Sequence, residues 1–225
     1  MRLCIVGGGA ALAKPLIEHF TGDCGSGSDC YLDRAYPERS DVTAVCRTTP
    51  PEVPGTNVVF GLEGVEGHID VLITLPGSVR NGRIEELSLD DWRSVVDATL
   101  NSVFEAFHRL LPRMTDGGNV VVVGSVVGST GGYGCANYAA AKAGLVSLVR
   151  AAANEYLRLH INLLELGYVD IGMGARLPEK VKEKVRASIP LGRFATEEDV
   201  VLAVDFLART KYMTGGVLTL AGGLR

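Results

Sequence analysis

"GSVVGSTGGYGCANYAAAK", residues 124–142, carries the chain from the end of an apolar run, "NVVVV", into an alanine-rich helical pattern. Ser125 closes that run, so its hydroxyl is expected to project from the carboxyl end of a strand, where open α/β sheets bind ligands. Tyr138 and Lys142 are four residues apart and share one face of the following helix. An ammonium beside a phenol favours the phenolate and lowers its pKa, which makes an acid/base usable at neutral pH. A Tyr-x-x-x-Lys spacing alone occurs by accident in many chains. A strand-end serine, a glycine-rich loop and that spacing at the start of a helix, in this order, carry far more weight, because joint geometry identifies a site.

On both sides of this stretch, short β-branched runs alternate with longer helical patterns, the signature of a parallel sheet covered by helices on both faces. Strands are expected at residues 2–6, 70–74, 119–124, 161–166 and 217–220. Leu12, Leu16 and Phe20 recur at helical spacing, with Pro15 tolerable in that helix's first turn. Ser88 with Asp91, and Thr196 with Asp199, mark two helix starts. Residues 1–225 are expected to form a single Rossmann-like domain, a doubly wound α/β sheet, and 47% apolar content in 225 residues is enough for one substantial core.

Composition excludes several classes of function. The net charge of −4 comes from interspersed acids and bases, with no Lys/Arg stripe to track a nucleic acid. No apolar run approaches membrane-spanning length, and the short apolar N-terminal stretch does not make a signal peptide, so a cytoplasmic protein is expected. Cysteines 4, 24, 30, 46 and 135 form neither CxxC pairs nor a Cys/His cluster, which predicts no metal site and no disulfide framework.

The segment "VGGGAALAKP", residues 6–15, looks like the start of a phosphate-cradling loop, with the backbone N–H groups of a helix N-terminus behind it. Residues 22–41 are polar and glycine-rich and leave the second strand open. If "CYLD" is that strand, Asp33 stands where a Rossmann unit places the acid that binds a ribose diol. If "VTAVCR" is the strand, Arg47 ends it, where a guanidinium suits a 2′-phosphate. Strand propensity favours the second and spacing from the glycines favours the first. The balance tips to Arg47 and NADPH, with an ordinary surface charge as the competing explanation for either residue.

With these motifs in place, the chain resembles the short-chain dehydrogenase/reductase family, in particular its 3-oxoacyl-carrier-protein reductase-like branch. "HIDVLITLPG" resembles the family's fourth strand, "WRSVVDATLNSVF" its dimer-forming helix, and "INLLELGYVDIGM" the sixth strand with its cofactor loop. "IPLGRFATEEDVVLAVDFLA" and "YMTGGVLTLAGG" resemble its C-terminal portion. Ser125 precedes Tyr138 by thirteen residues, the family's own spacing.

The resemblance implies hydride transfer between a nicotinamide and a carbonyl/alcohol pair, a ketoreductase. Tyr138 would protonate the carbonyl oxygen, Ser125 would orient it, and Lys142 would hold the nicotinamide ribose and tune the tyrosine. It also implies cofactor contacts from Gly7, Gly9, Leu12, Arg47, Pro76, Gly77, Tyr138, Lys142 and Val169, with NADP as cofactor and NAD as the alternative. The departures cluster where the cofactor belongs. Ala11 and Ala13 replace two glycines of the fingerprint, Leu75–Pro76–Gly77 replaces Asn-Ala-Gly, Thr99 stands in place of an active-site Asn, and Ile171 replaces a threonine. At position 99 only the backbone carbonyl could serve a proton relay.

Three readings follow. The first is an NAD(P)H-dependent ketoreductase with a relaxed cofactor site, the second a non-catalytic subunit assembled with an active paralogue, and the third a dehydratase or isomerase using Tyr138 without hydride. The partner expected for the first is a small-molecule or acyl-thioester carbonyl compound. The segment at residues 172–193 resembles the family's mobile lid, and its Lys180, Lys182, Lys184, Arg186 and Arg193 suit either an acyl carrier or a solvated helix face. The helices at residues 92–110 and 138–157 are apolar on more than one face, as Leu145, Val146, Leu148 and Val149 show, which predicts a homodimer or homotetramer.

Overall fold

The computed structural model describes residues 1–7, 11–21, 41–46 and 56–224. Within them lie strands β1 (Arg2–Val6), β2 (Asp41–Cys46), β3 (Thr56–Phe60), β4 (Ile69–Thr74), β5 (Met114–Val123), β6 (His160–Leu166) and β7 (Val217–Leu220). They form one parallel sheet in the order β3-β2-β1-β4-β5-β6-β7. The helices are α1 (Ala13–Thr21), α2 (Leu89–Val96), α3 (Ser102–Leu110), α4 (Val127–Thr130), α5 (Ala136–Glu155), α6 (Glu179–Ser188) and α7 (Glu197–Arg209).

Because strand side chains alternate between faces, each buried strand serves two cores. Leu3, Ile5, Val121, Val123 and Leu164 pack on one face with α1 and α7, through Leu16, Ile17, Val200 and Val204. Cys4, Val120, Val122, Ile161 and Leu163 pack on the other with α3 and α5, through Val103, Phe107, Leu145 and Val149. Strands covered on both sides read as continuous apolar runs, which is why "NVVVV" lacks an alternating pattern.

Most of the expected elements are found. The strands at residues 2–6 and 217–220 match, and those at 70–74, 119–124 and 161–166 lie within one residue of β4, β5 and β6, except that β5 starts five residues earlier, at Met114. Pro15 is the third residue of α1. Ser88 caps α2, accepting from the Asp91 N–H at 3.0 Å. Thr196 and Asp199 form a reciprocal capping box on α7.

The open choice at the second strand resolves toward "VTAVCR": Asp41–Cys46 lies between β1 and β3. "CYLD" with Asp33, and Arg47 itself, lie outside the described residues. The strand β3 is an addition; it is a short edge strand whose Phe60 is largely exposed, so it carries little of the burial pattern that marks a strand in sequence. The expected single helix from 92 to 110 is instead α2 and α3 joined through a π-helical turn, Asp97–Asn101. On α5, Leu145 and Val149 are fully buried, whereas Val146 and Leu148 are partly covered by the same core. Exposed apolar side chains lie elsewhere, at Trp92, Phe104, Leu202 and Phe206 of α2, α3 and α7.

Connections leave β1 toward β2 and β3 on one side and β4 toward β7 on the other, so the strand order reverses between β1 and β4. At such a switch point the loops beyond the strand ends diverge and open a crevice.

Candidate active site

Ser125 lies two residues beyond the end of β5, and its neighbours stay clamped to β6: Gly124 N donates to Leu164 O at 2.7 Å and Val126 N to Leu166 O at 2.9 Å. The chain then turns into α4. Gly128 lets α4 lie on the backbone of α5, since a Cβ there would come within 2.9 Å of Lys142 C and Ala143 N. This contact sets Ser125 against the first turns of α5, where Tyr138 and Lys142 reside. The Ser125 hydroxyl lies near enough to the Tyr138 phenol to favour its charged form, and the Lys142 ammonium lies 5.6 Å from the Tyr138 ring centroid. The three expected residues therefore come together at the carboxyl end of the sheet.

The electrostatics differ from the expectation drawn from spacing. Burial holds the Tyr138 phenol above its ordinary value; Ser125 pulls it down and Cys135 pushes it up. Lys142 is not among these influences; it is itself 2% exposed, and burial brings its pKa to about 7. Desolvation disfavours the charged form of each group, which raises a phenol and lowers an amine. Lys142 Nζ donates to Pro76 O at 2.7 Å and to Val123 O at 2.8 Å, tying α5 to the ends of β4 and β5.

Thr99 is fully buried in the π-helical turn, and its hydroxyl accepts from Ser78 N at 3.4 Å. Asn101 is exposed and donates to Asp97, so it does not replace a missing Asn at 99. Isolated π turns inside helices recur at functional sites. Val169 pairs with Ala195 as a bridge made by Tyr168 O and Asp170 N, which leaves Val169's own amide groups out of it.

The crevice between β1 and β4 fits a dinucleotide at several points. Gly7 has φ +95°, and a Cβ there would sit 2.8 Å from Leu75 O, so only glycine lets the β1 loop pass this close to β4. At Gly77, a Cβ would meet nothing within 4 Å, leaving the backbone open to a ligand. A protonated Lys142 keeps a third N–H beyond the two it donates. Ala13 is fully buried in the core that β1 and α1 share, so the methyl that replaces the fingerprint's glycine is accommodated there. Leu12 precedes α1, and Ala11 faces the lid segment, its methyl 2.9 Å from where a Gly172 Cβ would stand. Gly9 and Arg47 lie outside the described residues.

Of the buried polar residues that the sequence analysis does not single out, two adjoin the elements of the site. Asn137, beside Tyr138, is fully buried. Glu165 in β6 is 8% exposed and accepts from Ser129 Oγ at 2.6 Å and Thr219 Oγ1 at 3.0 Å. It borders a cavity of about 730 Å³ walled also by Val126, Leu191 and Leu224. A lone acid inside "NLLEL" was its only signal in sequence.

A family model described as enoyl-(acyl carrier protein) reductase matches residues 56–225. The 3-oxoacyl-[acyl-carrier-protein] reductase of Thermotoga maritima is 36% identical over 164 residues, covering 70% of this chain and 67% of the relative. That of Pseudomonas aeruginosa is 34% identical over 177 residues, 75% of this chain and 72% of the relative. The chain belongs to the short-chain dehydrogenase/reductase family.

Solved short-chain dehydrogenase/reductase structures share the whole fold. One from Serratia marcescens superposes with a TM-score of 0.82 at 20% identity, over 100% of this chain and 97% of that one. An Agrobacterium tumefaciens protein, assigned as a 2-deoxy-D-gluconate 3-dehydrogenase and solved with NADP bound, gives 0.84 at 21% identity over 100% and 96%. As a short-chain dehydrogenase/reductase the chain is an NAD(P)-dependent oxidoreductase. Among the described residues no group of His, Cys, Asp and Glu is arranged to hold a metal ion, and no helix is long and apolar enough to cross a membrane.

Proposed function

We propose that the chain is an NADPH-dependent ketoreductase acting on 3-oxoacyl thioesters. The observation that carries this reading is the convergence of Ser125, Tyr138 and Lys142 beside the β1/β4 crevice. The substrate class comes from the relatives, which are 3-oxoacyl-[acyl-carrier-protein] reductases. When bound, the nicotinamide supplies the hydride.

The protein's own part is positioning and proton supply. Ser125 Oγ donates a hydrogen bond to the substrate carbonyl oxygen and orients it toward Tyr138. Tyr138 Oη, kept protonated by its burial, gives its proton to that oxygen as negative charge develops there. Lys142 holds the ribose hydroxyls and keeps the ends of β4 and β5 in place. Gly7, Leu12, Pro76, Gly77 and Val169 supply the backbone surface for the dinucleotide. The assignment of β2 to Asp41–Cys46 supports NADP, since Arg47 follows that strand directly in sequence.

Exposed Trp92 and Phe104 on one side, and Leu202 and Phe206 on another, support a homodimer or homotetramer, which light scattering tests.

The deciding experiment follows NADPH consumption with acetoacetyl-CoA, together with NADPH and NADH titrations by calorimetry. Saturable NADPH binding with turnover supports the reading. Tighter NADH binding moves cofactor selection from Arg47 to Asp33. Failure of both nucleotides to bind near millimolar concentration overturns the reductase and leaves the non-catalytic subunit or a hydride-free reaction at Tyr138.

A further inference from the structure

We propose that Asn137 is a positioning residue that holds Tyr138 and the loop after β4 as a single unit. The inference rests on the reductase reading above.

The first turn of any helix has backbone N–H groups with no partner inside the helix. At the start of α5 the cap position is Cys135, whose side chain makes no capping bond. Asn137 supplies the acceptor instead: its Oδ1 takes the N–H of Tyr138 at 2.8 Å. The same side chain turns its Nδ2 to the loop after β4 and donates to Arg80 O at 3.1 Å. Both bonds are made by a side chain with no exposed surface.

The carboxamide does both at once, its oxygen accepting and its nitrogen donating. Aspartate accepts from Tyr138 N–H but cannot donate to Arg80 O, and alanine does neither.

The loop at residues 75–82 forms one wall of the site, and α5 with its preceding turn grips it at three places. Lys142 Nζ holds Pro76 O at 2.7 Å, Asn137 holds Arg80 O, and Gly134 O accepts from Gly82 N at 2.9 Å. A fourth hold, Ser78 N on Thr99 Oγ1, comes from the π-helical turn. Gly77 sits between the first two grips. Asn137 is the grip adjacent to the proton donor, so movement of the loop at Arg80 and movement of the Tyr138 backbone are linked through one rigid amide plane. Misplacing a reacting group by about 1 Å can cost about 100-fold in rate, so a link of this kind acts on kcat.

The test compares Asn137→Ala and Asn137→Asp with wild type. Folding is checked by circular dichroism. Three quantities are read: kcat and KM for acetoacetyl-CoA with NADPH, the NADPH Kd, and amide hydrogen exchange at residues 78–82 without nucleotide. Exchange at 78–82 is expected to quicken in both variants. The kcat is expected to fall about 100-fold in Asn137→Ala and about 10-fold in Asn137→Asp, with KM within about twofold of wild type. If Asn137→Ala does not fold, Asn137→Asp decides. Unchanged exchange at 78–82, or unchanged kcat in a variant that only melts earlier, overturns the proposal. A wild-type chain that never oxidises NADPH overturns the reductase reading instead, and the exchange measurement still decides whether Asn137 holds the loop.

Discussion

Replacing Lys142 with methionine should change how stability depends on pH, and by an amount that follows from the burial of the amine. The group is 2% exposed and its pKa falls from 10.5 to about 7. In the unfolded chain the lysine regains its ordinary value, so between the two values the unfolded state binds more protons than the native state. Stability must then rise with pH through this window, and the burial cost is fully present below the native value. Integrating that proton difference from about pH 7 to about pH 9 gives the native state about 2 kcal/mol. Lys142→Met cannot titrate. It leaves Pro76 O and Val123 O without their donor, a loss that does not vary with pH. The difference in unfolding free energy between wild type and variant, from urea titrations of nucleotide-free protein, should therefore shift by about 2 kcal/mol toward wild type across that range. Taking the difference cancels other titrating groups common to both proteins. A difference that stays flat would refute the reasoning and show that Lys142 remains an ordinary charged lysine in the native chain.

Tyr138→Phe should lower kcat for carbonyl reduction by about 10²–10⁴-fold, and Ser125→Ala by about 10²–10³-fold, both with nucleotide affinity retained in a calorimetric titration. Because the Tyr138 phenol is held above its ordinary value, the pH profile for reduction should stay level through neutrality and fall only in the alkaline range, while the reverse oxidation, which needs the phenolate, should climb with pH. Gly7→Ala should cost about 1–3 kcal/mol in urea denaturation and weaken NADPH binding, since its φ of +95° and the 2.8 Å approach to Leu75 O both exclude a side chain. Glu165→Ala removes the acceptor of Ser129 and Thr219 and should destabilise by about 1–2 kcal/mol by the same assay.

The elements that sequence analysis recovers are those whose local signals agree with their final surroundings. β5 is a run of valines that ends buried on both faces, and α7 opens on a Thr196/Asp199 pair that forms the box its spacing predicts. β3 fails this condition: it lies at the sheet edge with Phe60 largely exposed, and Val58 and Val59 are only partly buried, so its residues carry a weak burial pattern. The turn at Asp97–Asn101 fails it differently. Nothing in "DATLN" breaks a helix, and the extra residue per turn shows only in the backbone, where it brings Thr99 inward to Ser78.

The site divides along the same line. Spacing along a helix groups Tyr138 with Lys142, and the apolar run that ends before Ser125 places its hydroxyl at the same end of the sheet, so the three could be grouped from sequence. What those groups do to one another depends on how much water each loses, and that is a property of the packed molecule. The cation expected to lower the phenol is itself desolvated, because it is buried under α4, which lies across the α5 backbone at Lys142; the carbonyls of Val123 and Pro76 replace only part of its lost water. Tyr138 and Lys142 are thus both pushed toward their neutral forms. A phenol that keeps its proton is the form that the proposed carbonyl reduction consumes, so burial favours that form of Tyr138, while the contacts Lys142 makes in the packed chain are to Pro76 O and Val123 O.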